Sequence, residues 1–117
     1  MISNGIDIVR IDKFSSIANS DVLLNKMFTK NEINYFNNHR NIQTLAGIYA
    51  AKEAFLKSIG KGINDYSLLD IEVSHYESGM PYLILYNELK NDYQIDNHSL
   101  SISHDGDYAI AIVSVLK

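Results

Sequence analysis

Residues 2–9 alternate in polarity, with the apolar Ile6 and Ile8 flanking Asp7 and preceded by Asn4-Gly5. This predicts a β-strand that turns Asp7 away from the two isoleucines, onto the polar face. Over residues 11–27, Ile11, Phe14, Ile17, Val22, Leu23 and Met27 recur at helical intervals, broken at Asn19-Ser20. Those polar residues can cap a second helix, so the expectation is helix, break, helix. Thr29 and Glu32 make a capping-box pattern, with Phe28 and Ile33 at the positions of a hydrophobic staple, and a helix is predicted to start at Lys30. The polar stretch 37–41 reads as a loop. After it, Leu45, Ile48, Tyr49, Lys52, Phe55, Leu56 and Ile59 have the three-and-four spacing of an amphipathic helix, which Gly60 stops.

In the second half, Leu69, Ile71 and Val73 alternate with Asp70, Glu72 and Ser74, and Ser78-Gly79 with Pro81 turns the chain into a strand over 82–86. That is a hairpin. A short polar helix over 87–93 follows. Leu100 and Ile102 then alternate with Ser99, Ser101 and Ser103 before a turn at Asp105-Gly106, giving a second hairpin. Its last strand, over 108–116, is apolar at almost every position, as expected of a strand inside the sheet and covered on both faces. No internal repeat is present. A strand, then helices, then strands favours an α+β fold, an antiparallel sheet packed with helices, over a doubly wound sheet.

At 117 residues the chain is expected to form one domain, 1–117. A hydrophobic fraction of 46% against 21% charged residues is that of a globular protein. No apolar run approaches the roughly 20 residues needed to span a bilayer, and the N-terminus lacks a charged-then-apolar signal pattern, so a cytoplasmic, membrane-free protein is expected. With no cysteine, the sequence excludes disulfides, a thiol nucleophile and cysteine zinc sites. A formal charge of −4 argues against nucleic acid as partner. An RNA-binding module would interleave basic and aromatic residues on its strands, which here carry Asp70, Glu72 and serines.

The segment Ala50-Ala51-Lys52-Glu53-Ala54-Phe55-Leu56-Lys57 surrounds three charges with small residues. Glu53 and Lys57, four apart, share a helix face, either as an ordinary exposed ion pair or as part of a site. Asp7 offers a second carboxylate on a strand whose Gly5 permits close approach; its alternative is a solvated strand aspartate. Two carboxylates from different elements can hold one Mg²⁺, which takes few protein ligands, and a lysine beside them would bind phosphate. His104, at a strand end, is a turn residue or a ligand contact. Ser101 and Ser103 read as polar strand positions, since no histidine–carboxylate constellation accompanies them.

Gly5-Ile6-Asp7-Ile8-Val9, Phe28-Thr29-Lys30-Asn31-Glu32, Ala46-Gly47-Ile48-Tyr49-Ala50-Ala51-Lys52-Glu53-Ala54-Phe55-Leu56-Lys57 and Ser101-Ile102-Ser103-His104 occur in that order. Together they resemble the holo-[acyl-carrier-protein] synthases, the short trimeric type of 4′-phosphopantetheinyl transferase, over nearly the whole chain. The resemblance implies the fold of that family and transfer of 4′-phosphopantetheine from coenzyme A to a serine of acyl carrier protein, in support of fatty acid synthesis. Adenosine 3′,5′-bisphosphate is the other product. It further implies that Asp7 and Glu53 hold Mg²⁺ against the coenzyme A diphosphate, with Lys57 sharing the charge. The serine proton goes to solvent at the metal or to a nearby carboxylate, which the sequence leaves open.

By the same resemblance, Lys57, Gly60, Lys61, Gly62, Ser103 and His104 surround coenzyme A, with Gly60-Lys61-Gly62-Ile63 as a glycine loop that also reads as a helix cap and turn. Arg10, Lys13 and Lys26 correspond to basic residues that dock the carrier protein, and a homotrimer with sites between neighbouring subunits is implied. Two departures stand out. Ile48 occupies a position where the family has an arginine associated with the 3′-phosphate, and Lys61 is the expected partial replacement. The first helical region is thinly basic, with Asp12 and Asp21 among its cations. Met80, where the family often has lysine, carries no functional expectation. A non-catalytic coenzyme A or nucleotide-binding module is the alternative, opposed by the presence together of Asp7, Glu53 and Lys57.

Overall fold

The structure, a computed structural model, describes residues 1–95 and 97–116. Strand β1 (Ile2–Arg10) leads through a 3₁₀ turn (Ile11–Lys13) into α1 (Phe14–Ala18), α2 (Asp21–Met27), α3 (Lys30–His39) and α4 (Ile42–Ser58). A second 3₁₀ turn (Leu68–Asp70) precedes β2 (Ile71–His75), β3 (Pro81–Leu85), α5 (Asn87–Asp92), β4 (His98–Asp105) and β5 (Tyr108–Leu116). The expected α+β fold, built from antiparallel strands and helices, is present as two sheets, one of order β1-β5-β4 and one pairing β2 with β3. They are joined at His98, whose Nε2 accepts from the Leu83 N–H at 3.0 Å while its Nδ1 donates to the Ile95 carbonyl. Among the described residues no helix is long and apolar enough to cross a membrane.

Local signals were accurate about the helix starts. Ser20 caps α2 by accepting from Leu23 N–H, and Thr29 and Glu32 form the reciprocal capping box of α3. The stretch 37–41 is not a loop, however. Helix α3 runs to His39, and the reversal into α4 takes only Arg40, in the left-handed region at φ 49°, and Asn41, whose side chain accepts from Gln43 N–H. A side chain that caps the next helix within one residue makes a longer connection unnecessary. At the far end of α4, Lys61 N–H donates to the Leu56 carbonyl and Gly60 N–H to Lys57, with Gly60 at φ 75°. This is the Schellman geometry that glycine permits.

Helix α4 is the centre of the molecule. Eleven of its residues, among them Leu45, Ile48, Ala51, Phe55 and Leu56, are buried, so it is covered nearly all round rather than amphipathic. Ala50, Ala51 and Ala54 let the strands and α1 approach closely. Gly5 is the extreme case: a Cβ there would lie 1.8 Å from the Ala54 carbonyl oxygen and 2.7 Å from Ser58 N. Strand β1 therefore rests directly on the backbone of α4.

That contact inverts the expected polarity of β1. Gly5, Asp7 and Val9 face α4, and Ile6 and Ile8 point outward, 55% and 60% exposed. The alternation was right, but the face was not, because a glycine rather than an isoleucine is what fits against the helix. The same applies to β5. It lies inside the sheet as expected, with Ala109, Ala111, Val113 and Val115 buried, but its other face, Tyr108, Ile110, Ile112 and Leu116, is exposed in the single chain. The register places Ile6 beside Ile112 and Ile8 beside Ile110, so the uncovered apolar residues form one patch.

Candidate active site

Asp7 reaches α4 because Gly5, two residues earlier, lets β1 lie on it. Its side chain is only 11% exposed, and its Oδ1 accepts from Lys57 Nζ at 3.0 Å. Lys57 Nζ also donates to the Ile6 carbonyl at 3.0 Å and remains half exposed. The ammonium is thus anchored to β1 on one side and open to solvent on the other. Glu53, one turn earlier on α4, does not pair with Lys57 as its i,i+4 spacing suggested. Its hydrogen-bond partner among the described residues is Tyr49, whose hydroxyl donates to Oε1 at 3.1 Å. A carboxylate on the adjacent strand outcompetes the helical neighbour for the lysine because it is already largely desolvated.

Tyr49 was not expected at the site, although a tyrosine four residues before a glutamate was a readable signal. Its ring packs against Phe14 of α1, with centroids 5.4 Å apart. Burial first, and then the charges of Glu53 and Asp7, push its hydroxyl up to about 12, so it stays protonated and donates at neutral pH. Tyr49 holds Glu53 and Lys57 holds Asp7, so both carboxylates are engaged by side chains of α4.

The donor set suits Mg²⁺. Asp7 Oδ2 is buried without a hydrogen-bond partner, an arrangement that is costly unless a cation or donor meets it. Among the described residues no cluster of three or more histidine, cysteine or acidic side chains forms a metal cage. Two carboxylates, with the rest of the shell left to water and phosphate, match the preference of Mg²⁺ for few protein ligands.

The other expected contact residues lie apart from this centre within one chain. Gly60, Lys61 and Gly62 form the exposed loop that ends α4, where Gly62 N–H donates to Asp65 Oδ2 at 2.7 Å. Lys61 is separated from Ile48 by ten helical residues to Ser58, about 15 Å along the axis, so it cannot stand in for a side chain at Ile48 of the same chain. Ser103 and His104 alternate on β4. Ser103 points to the outer patch beside Ile110, and His104 lines a groove of about 200 Å³ with Tyr35, Gly47, Ile48 and His75. His104 lies two strand spacings from β1, about 10 Å, with β5 between. In this groove Tyr35 is stacked between His39 and His75, at 4.0 and 3.9 Å, and burial, with His39 second, holds His75 below the ordinary histidine range. Arg10, Lys13 and Lys26 are all exposed, and Arg10 also pairs with Asp12 at 3.4 Å.

Residues 3–113 match the sequence model of the 4′-phosphopantetheinyl transferase superfamily. The chain belongs to that family. Among its phosphopantetheinyl transferase relatives, the holo-[acyl-carrier-protein] synthase of Campylobacter hominis is 41% identical over 115 residues, covering 93% of each chain. The crystal structure of the Helicobacter pylori holo-[acyl-carrier-protein] synthase, in complex with coenzyme A, superposes with a TM-score of 0.85 at 34% identity, covering 99% of this chain and 100% of that one. The Bacillus anthracis holo-(acyl-carrier-protein) synthase, in complex with CoA (3′,5′-ADP), gives 0.80 at 33% identity over 97% and 94%. The phosphopantetheinyl transferase fold expected from the motifs is therefore the fold observed.

Proposed function

We propose that this chain, acting as one domain over residues 1–117, transfers 4′-phosphopantetheine from coenzyme A to a serine of apo acyl carrier protein. The products are holo acyl carrier protein and adenosine 3′,5′-bisphosphate. The observation that carries the reading is the junction of β1 and α4, where the unpartnered Asp7 Oδ2, Glu53 and the half-exposed Lys57 converge. Asp7 and Glu53 would hold Mg²⁺, which supplies neutralisation of the diphosphate and stabilises the leaving group. Lys57, tethered to Asp7 and Ile6 but open to solvent, offers its remaining N–H to a phosphate oxygen. The low exposure of Asp7 strengthens each of these charge interactions. The nucleophile belongs to the carrier protein, so the chain's task is to align it with the phosphorus.

The apolar outer face of β1 and β5 supports a homotrimer in which this face is covered by other copies. Such packing would let Gly60, Lys61, Gly62, Ser103 and His104 of neighbouring subunits meet around one coenzyme A, which a single chain cannot do. Compensation by Lys61 for the arginine absent at Ile48 would likewise act between subunits. Arg10, Lys13 and Lys26 form the docking surface for the acidic carrier protein, and the reaction takes place in the cytoplasm.

Mass spectrometry of apo acyl carrier protein incubated with the chain and coenzyme A tests this. Transfer adds about 340 Da when Mg²⁺ is present and nothing when it is chelated. Binding of coenzyme A without any adduct would replace the enzyme reading with that of a non-catalytic binding module.

A further inference from the structure

The two carboxylates at the β1–α4 junction are prepared in the same way. Asp7 has Oδ1 occupied by Lys57 and Oδ2 buried without a partner. Glu53 has its Oε1 accepting from the Tyr49 hydroxyl, and among the described residues no hydrogen bond reaches Oε2. Each therefore has one oxygen engaged by a donor and the other without a hydrogen-bond partner among the described residues. A glutamate on a helix surface otherwise has free side-chain torsions and can turn both oxygens to a cation. Tyr49 can remove that freedom because its own ring is held in a tilted contact with Phe14, at 57° between the ring planes.

We infer that Tyr49 is a positioning residue: its hydroxyl restricts Glu53 to one-oxygen coordination and so sets the preference of the site for a small octahedral cation over Ca²⁺. The physical basis is the difference between the two ions. Mg²⁺ and Mn²⁺ accept single carboxylate oxygens in an octahedron, whereas Ca²⁺ takes more oxygens and readily accepts both from one carboxylate. A donor that occupies Oε1 penalises the second mode only. Phe14 gives the ring its position, which links α1 to the geometry of Glu53. The inference rests on the reading of Asp7 and Glu53 as cation ligands.

The test is Tyr49→Phe, which keeps the ring and its contact with Phe14. Free Mn²⁺ is followed by electron paramagnetic resonance with coenzyme A present and carrier protein absent, and Ca²⁺ is measured by competition. Loss of an orienting partner of a metal ligand weakens binding roughly tenfold, so the Mn²⁺ affinity is expected to fall by about that factor while Ca²⁺ affinity does not. The Mn²⁺/Ca²⁺ ratio thus drops about tenfold, with the metal-free Tm moving by only a few degrees. A ratio unchanged within about twofold would overturn the role of Tyr49, even if the Tm fell, since a purely structural hydrogen bond moves stability and not selectivity. Asp7→Asn is the control. If it bound Mn²⁺ as well as the unaltered chain, the two-carboxylate reading itself would fail, and the positioning role with it.

Discussion

Lys52 neighbours Glu53 in sequence but points to a different face of α4, wholly buried, and replacing it with methionine tests what holds that helix in place. Its ammonium has three N–H donors and three acceptors: Glu32 Oε1 at 2.6 Å, the Met27 carbonyl at 2.9 Å and the Leu68 carbonyl at 2.8 Å. Glu32 is equally buried, and accepts from Thr29 N–H at 2.9 Å and Val73 N–H at 2.7 Å. The pair joins α2, α3, α4 and β2. Burial pushes Glu32 up and Lys52 down, each resisted by the charge of the other, so neither tolerates loss of its partner. Lys52→Met leaves Glu32 with two backbone donors and no counter-charge, and breaking a buried pair in this way costs about 3–5 kcal/mol. With an unfolding entropy near 2.1 cal/mol/K per residue, or about 0.25 kcal/mol/K for this chain, a loss of about 4 kcal/mol lowers the Tm by about 16 °C. Urea titration followed by far-ultraviolet circular dichroism measures the loss. The double variant Glu32→Gln with Lys52→Met, which retains an acceptor for one of the two backbone amides but no charge, should be less destabilised than the sum of the singles by about 2 kcal/mol. A Lys52→Met loss below about 1 kcal/mol, or additivity within about 0.5 kcal/mol, would refute the reasoning.

Gly5→Ala would place a methyl 1.8 Å from the Ala54 carbonyl, forcing β1 off α4. It should cost on the order of 3 kcal/mol and abolish transfer by displacing Asp7; a stable, active variant in thermal melts and the mass assay would contradict the close-contact account. Lys13→Glu, at an exposed residue beside α1, is expected to raise the Michaelis constant for carrier protein several-fold at low salt, with the difference shrinking as salt screens it. An unchanged constant removes Lys13 from the docking surface. His75 sits below the ordinary histidine value of 6.5, so the unfolded chain binds its proton first as pH falls. Stability should therefore decline from pH 7 toward 5, and His75→Gln should lessen the decline in Tm; an identical slope in the variant would show that His75 does not contribute.

What could be read from sequence divides along the range of the interaction responsible. The capping box at Thr29 and Glu32 was legible because both partners lie within one turn. The second duty of Glu32, holding Lys52 and Val73 N–H, was not, because those partners are 20 and 41 residues away. Asp7, Glu53 and Lys57 were singled out by residue type and motif, but not their pairing: a helical spacing proposes Glu53 with Lys57, and only the descent of β1 onto α4 gives the lysine to Asp7. Tyr49 was read as one more apolar-face residue, since periodicity weighs its ring and is blind to its hydroxyl.

The inverted face of β1 has the widest consequence. Alternation identifies two sets of side chains, and choosing the apolar set as inward assumes that the chain's own interior is the only apolar environment available. Here Gly5 and Asp7 lie against α4, one for close contact and the other paired with Lys57, which leaves Ile6 and Ile8 to the outer face. Strand β5 does the same: it is apolar on both faces although only Ala109, Ala111, Val113 and Val115 are covered by α4. Two adjacent strands would not both keep isoleucines in water when the neighbouring positions of β4 are Ser101 and Ser103. In the proposed trimer the apparent error becomes consistent with burial. Covering Ile6 and Ile8 would fix from outside the strand whose inner face carries Asp7, so assembly would order the carboxylate proposed to hold Mg²⁺ as well as bring the remaining proposed coenzyme A contacts to it.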